Sequence, residues 1–127
     1  MYQSLLLISA GAAFGAITRW LFGMWFNPLF STISFGTLIA NYLGCLLIGI
    51  FTAIFYQFPQ IPSEWKLFLI TGLLGSLTTF SAFSLEIVDY LINGKIMQAI
   101  NGIGLYVIGG FLCTFLGIYL TTRLVNV

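Results

Sequence analysis

The sequence predicts an all-α integral membrane protein of four transmembrane helices, the third broken mid-membrane, assembled as an antiparallel dual-topology homodimer. Three observations carry this. The chain is 60% hydrophobic and 6% charged, against about 25% charged in a soluble domain, so it cannot cover a water-facing surface. Its 127 residues hold four crossings of roughly 20 apolar residues each and little besides, so residues 1–127 form a single four-helix transmembrane domain. Four crossings put Lys66 and Arg123 on one side and Arg19 and Lys95 near the other. Orientation follows an excess of basic residues in short loops. With none, both orientations should insert, and closed two-fold pairs are the commonest assembly.

The first span covers residues 2–26. It lacks a basic leader and a short apolar region before a cleavage site, so it reads as a retained helix rather than a signal peptide. Gly11 and Gly15 are four apart and allow close approach of another helix. Arg19 and Trp20 lie toward its far end, as a snorkelling cation and a belt aromatic. Asn27-Pro28 makes a turn.

The second span covers residues 33–58. Thr37 and Asn41 share one face. The Asn41 amide needs a partner in an apolar setting, either as glue between helices or as a donor lining a pore. Pro59 and Pro62 bracket the next loop, and Ser63 reads as the N-cap of the third span, residues 64–92.

That span is interrupted at its centre. The stretch from Gly72 to Glu86 reads GLLGSLTTFSAFSLE. Gly75-Ser76 and Thr78-Thr79 are poor helix formers. Backbone that leaves the helix inside a bilayer is tolerated only within protein or beside a water-filled cavity, and broken helices in transport proteins form ion sites. Phe80 and Phe83 share a face just past the break, with Ser81 and Ser84 beside them. Aromatic edges carry positive potential and suit a small anion. Glu86 and Asp89 follow on the side where Arg19 lies, close enough in depth to pair with it. Ionisable groups within spans are costly and often functional.

Asn93-Gly94-Lys95 makes the last turn before the fourth span, residues 96–124. Its Gly109-x-x-x-Cys113-x-x-x-Gly117 and Gly110-x-x-x-Thr114 spacings read as packing seams, with Thr114 also able to donate to a polar path. Tyr106 needs a partner for its hydroxyl.

Several function classes drop out. There is no histidine, no nucleophile–base pair and no phosphate loop, so enzyme chemistry is not expected. A net charge of +1 offers no nucleic-acid patch. Cys45 and Cys113 fall inside spans and read as small packing residues.

The motif Gly72-Leu-Leu-Gly75-Ser-Leu-Thr-Thr79-Phe80-Ser81-Ala-Phe83-Ser84-x-Glu86 closely resembles the signature of the Fluc (CrcB) fluoride channels. Gly36-Thr37-x-x-x-Asn41-x-x-Gly44 and Gly15-x-x-x-Arg19-Trp20 match as well, so the resemblance covers essentially the whole chain. It departs at Ala82, where the family often has threonine, and at Ser76, where glycine is common. The resemblance implies a passive, fluoride-selective channel of the bacterial inner membrane that exports cytoplasmic fluoride. It implies an antiparallel homodimer with two pores, surrounded by lipid. Phe80, Phe83 and Asn41 would line each pore, with Thr37, Ser81, Ser84 and Thr114 as a polar track. A structural sodium ion would sit at the dimer centre on the backbone carbonyls of Gly75 and Thr78. Arg19 and Glu86 would be structural or vestibule residues. The rival reading is a small four-span multidrug-type antiporter, which needs a carboxylate in the first span. Residues 2–26 contain none. A structural subunit is a further rival, and it leaves the polar break and the paired rings without a reason.

Overall fold

The computed structural model describes residues 1–29 and 33–125. Helix α1 runs Tyr2–Phe26 and continues into a 3-10 turn, Asn27–Leu29; α2 runs Phe35–Gln57. The third segment starts with α3, Ser63–Lys66, widens into a π-helical stretch, Leu67–Leu74, and returns to α geometry in α4, Gly75–Leu77. Helix α5 is Phe80–Ile92 and α6 is Ile96–Val125. Among the described residues, four stretches are long and apolar enough to cross a membrane: Tyr2–Leu29, Phe35–Gln57, Ser63–Ile92 and Ile96–Val125.

Two local expectations are corrected. Ser63 is the first helical residue rather than the cap; Pro62 takes the cap position with extended ψ of 146°, because proline favours extended geometry just before a helix. Helix α2 begins two residues after the expected 33, at Phe35. Its start is tied down by the Asn27 side chain, whose Oδ1 accepts from Gly36 N–H at 2.7 Å.

The helices meet through glycine. Gly11 and Gly15 of α1 face the backbone of the third segment: a Cβ on Gly15 would strike Ser76 Oγ and the Leu73 carbonyl, and one on Gly11 would strike the Phe68 carbonyl and Leu73 N. Gly72 returns the contact against Ile8 O and Gly11 Cα. Gly49 of α2 and Gly117 of α6 form the second seam, where a Cβ on Gly49 would meet the Thr114 carbonyl and lie 3.2 Å from Gly117 Cα. Where backbones touch, a methyl group has no space. Gly49→Leu is therefore expected to lower stability by about 1–3 kcal/mol or more through overpacking. By contrast, Gly104 has nothing within 4 Å of its would-be Cβ, and Gly104→Ala is expected to leave stability equal or raise it by about 0.5–1 kcal/mol. Thermal unfolding of the two variants in detergent checks the pair.

The buried centre is small, with Ala40, Leu74 and Leu77 at its heart. Most large apolar side chains point outward, including Phe14, Ile103, Ile108, Phe111, Leu112 and Phe115. In water such a surface would aggregate; against lipid or a second copy it is the appropriate coat.

Candidate functional site

The site is built where α4 stops and α5 starts. Thr78 (φ −86°, ψ 155°) and Thr79 (φ −150°, ψ 114°) are both extended. Two residues out of helix leave backbone groups that must find partners elsewhere. Asn41 of α2 supplies them. Its Oδ1 accepts from Thr79 N–H at 2.8 Å and its Nδ2 donates to the Thr79 carbonyl at 3.3 Å. A side-chain amide thus pairs with a peptide group as a second strand would. From the other side, Arg19 of α1 donates Nε–H to the Ser76 carbonyl at 3.0 Å. Thr79 closes the accounting locally: its Oγ1 accepts from Ala82 N–H at 3.2 Å, capping α5. Thr79 Oγ1 also shares a hydrogen bond with Ser81 Oγ at 3.1 Å.

Beside this crossing lies a cavity of about 370 Å³ lined by Asn41, Cys45, Thr78, Thr79, Phe80, Phe83, Tyr106, Val107, Gly110 and Phe111. The Phe80 and Phe83 rings meet edge to face, with centroids 5.5 Å apart and planes at 75°. Phe83 in turn lies against Tyr106 at 4.6 Å. Phe80 is 77% exposed in the single chain, which leaves its edge free to meet a ligand or a second copy. The wall is mostly apolar, with positive ring edges and a few hydroxyls and amides as its polar points.

The sequence-derived residues divide accordingly. Asn41, Thr78, Phe80 and Phe83 come together on the cavity. Thr37, Ser81, Ser84 and Thr114 stand outside its lining. Asn41 bonds to another segment, as expected of glue between helices, and it also lines the cavity. Arg19 does not pair with Glu86 or Asp89; its guanidinium turns to a backbone carbonyl instead.

Glu86 has three partners of its own. Oε1 accepts from Ser34 N–H at 2.9 Å and from Tyr90 Oη–H at 3.2 Å, and Oε2 accepts from Tyr106 Oη–H at 2.9 Å. The carboxylate therefore locks the start of α2, the middle of α5 and the cavity wall on α6. Tyr106 as a cavity wall was missed from sequence; its need for a hydroxyl partner and the depth of Glu86 were the two signals. Tyr42 was missed too. Its ring fills the space over Gly109 and its hydroxyl donates to the Leu105 carbonyl at 2.5 Å.

The backbone oxygens suit a hard cation. In an unbroken helix the Gly75 carbonyl would accept from Thr79 N–H and the Thr78 carbonyl from Ala82 N–H; those donors go to Asn41 and to Thr79 Oγ1. Both carbonyls are thus released from the helical ladder. Gly75 is exposed in the single chain, and oxygen ligands are what alkali and alkaline-earth ions prefer.

The family model for CrcB-like protein, Camphor Resistance (CrcB), matches residues 6–118. The chain belongs to the CrcB family. Over 118 residues this CrcB chain is 54% identical to the "Fluoride-specific ion channel FluC" of Haemophilus influenzae (strain PittGG), covering 93% of the chain and 92% of the relative. It is 51% identical to the protein of the same name from Pasteurella multocida (strain Pm70), with the same coverage. A third such relative, from Chromohalobacter salexigens, is 52% identical over 93% of the chain and 89% of its own length. With four helices of spanning length, this CrcB chain is a multi-pass membrane protein.

Proposed function

We propose that the protein is a passive fluoride channel, working as an antiparallel homodimer with two pores, that releases cytoplasmic fluoride. The observation that carries the reading is the cavity where the paired rings of Phe80 and Phe83 flank the Asn41–Thr79 crossing. The names of its relatives support the ion.

A selective pore must replace an ion's hydration shell with its own groups. Fluoride is small and strongly hydrated, and a fixed positive charge would hold it too tightly to let it leave. Ring edges offer weak, repeated attraction, and the hydroxyls of Ser81, Ser84, Thr37 and Thr114 would extend the track away from the rings. No energy source is needed: hydrogen fluoride enters as a neutral weak acid, dissociates in the cytoplasm, and the trapped anion leaves down its gradient.

The third segment would cross the bilayer with Thr78–Thr79 near its centre. Two copies meeting there would bring their Gly75 and Thr78 carbonyls together around a sodium ion, whose charge would hold the two segments and offset the anions nearby. The antiporter alternative is disfavoured because residues 2–26 have no carboxylate to exchange protons.

The test is efflux from liposomes under a potassium diffusion potential, followed with a fluoride electrode and a chloride electrode. Fluoride should leave far faster than chloride. Equal rates would refute a selective pore. Orientation has its own measurement. With Cys45 and Cys113 replaced by serine, Asn93→Cys should be labelled by an impermeant thiol reagent from both faces of the cell membrane; one-sided labelling would rule out the dual-topology dimer.

A further inference from the structure

An arginine within a spanning helix is costly, and its partner indicates its work. Here the partner is a single backbone oxygen. Were the third segment continuous through residue 80, the Ser76 carbonyl would accept from Phe80 N–H, four residues on. It accepts instead from Arg19 Nε–H at 3.0 Å. One residue earlier, the Gly75 carbonyl has lost Thr79 N–H to Asn41. Two consecutive rungs of the helical ladder are thus taken apart by two side chains from two different helices. The hydrogen bond from a guanidinium is charge-assisted and roughly twice as strong as a neutral one, which suits it to oppose the helix's tendency to close up.

We propose that Arg19 is a positioning residue for the conduction path: by occupying the Ser76 carbonyl it keeps Thr78–Thr79 extended and so sets the place of Phe80 and Phe83. Each extended residue advances about 3.3 Å where a helical one advances about 1.5 Å. Rewinding two residues would therefore draw the rings back by on the order of 3–4 Å and rotate them about the axis. The half-buried guanidinium acts through the backbone. Only the effect on flux rests on the fluoride-channel reading; the effect on the backbone does not.

The experiment combines hydrogen–deuterium exchange in lipid nanodiscs, read on peptides covering residues 76–83, with fluoride efflux. Arg19→Met fills the space without a donor. It should slow exchange at residues 79–80 about tenfold, as Phe80 N–H regains the Ser76 carbonyl, and cut efflux about tenfold. Arg19→Lys keeps a charged donor and should recover at least half of both effects. Unchanged or faster exchange in Arg19→Met overturns the proposal, as does a lysine variant no different from methionine. Should Arg19→Met fail to fold, Arg19→Leu, which also has no donor, takes its place: slower exchange than in Arg19→Lys is expected, and equal exchange overturns the idea. If the unsubstituted protein releases no fluoride, the channel reading fails alone, and the exchange comparison still decides the role of Arg19.

Discussion

Asn41→Leu is expected to reduce fluoride efflux by more than about tenfold, the effect of only ~1.4 kcal/mol at a barrier. Leucine shares the Cγ branching of asparagine and has none of its polarity. It would leave Thr79 N–H and the Thr79 carbonyl without the partners they now have at 2.8 and 3.3 Å. Each orphaned group in a part-buried setting costs about 1–3 kcal/mol, and the chain can recover that cost by returning Thr79 N–H to Gly75. The crossing would then close and the ring pair would leave the cavity. Asn41→Asp separates two causes. It keeps the acceptor for Thr79 N–H, loses the donor to the carbonyl, and adds a negative charge beside the proposed anion path. Efflux should fall at least as far as in the leucine variant. An aspartate variant with wild-type flux would mean that the anion passes nowhere near residue 41. Liposome efflux with a fluoride electrode checks both variants.

The second large effect is expected at Glu86. Its carboxylate is the shared acceptor for Ser34 N–H, Tyr90 Oη–H and Tyr106 Oη–H. Tyr106 is 6% exposed, so its hydroxyl has little access to water once the carboxylate is gone. Glu86→Ala takes the acceptor from Ser34 N–H, leaves Tyr106 Oη–H only the Ser34 carbonyl at 3.5 Å and opens a void, and a loss of about 2–5 kcal/mol in stability follows from those terms together. Glu86→Gln should cost less: the amide oxygen still accepts from Ser34 N–H and Tyr90 Oη–H, and the amide nitrogen can donate to the Tyr106 hydroxyl oxygen, at the cost of the stronger bonds to a carboxylate. The order wild type, glutamine, alanine should appear in thermal unfolding in detergent. Equal stability of all three would mean that Tyr106 and Ser34 find other partners without strain.

Much of the fold was legible because lipid imposes a simple demand. Apolar runs of spanning length marked the helices, and the first helix ends at Phe26 as read from its pattern. Gly11, Gly15 and Gly117 were legible as seams because small residues at intervals of four have few other uses in lipid. The contacts that build the site were far less visible. Arg19 and Asn41 both bind backbone atoms, which every residue offers, so no pattern of side chains points to Ser76 or Thr79 as their partners. Arg19 reads from sequence as a snorkelling cation within reach in depth of two acids, yet its guanidinium bonds to a backbone carbonyl in the interrupted segment. Glu86 and Tyr106 lie twenty residues apart, and their meeting depends on the tilt of α5 against α6. The reach of Tyr42 over Gly109 had no local signal except the glycine itself.

The wide-turned stretch Leu67–Leu74 was the other feature without a sequence signature. A π turn holds one residue more than an α turn, so this segment stores an insertion without forming a loop. Deleting one residue there can be absorbed by a return to ordinary winding, whereas deleting one within Gly75–Leu77, already wound as α-helix, would swing everything on one side by about 100°. Gly72 would leave Gly11, or the threonine pair would leave Asn41. Chain length is therefore held more tightly across Gly75–Leu77 than across those eight positions, where one residue fewer changes the winding and not the register.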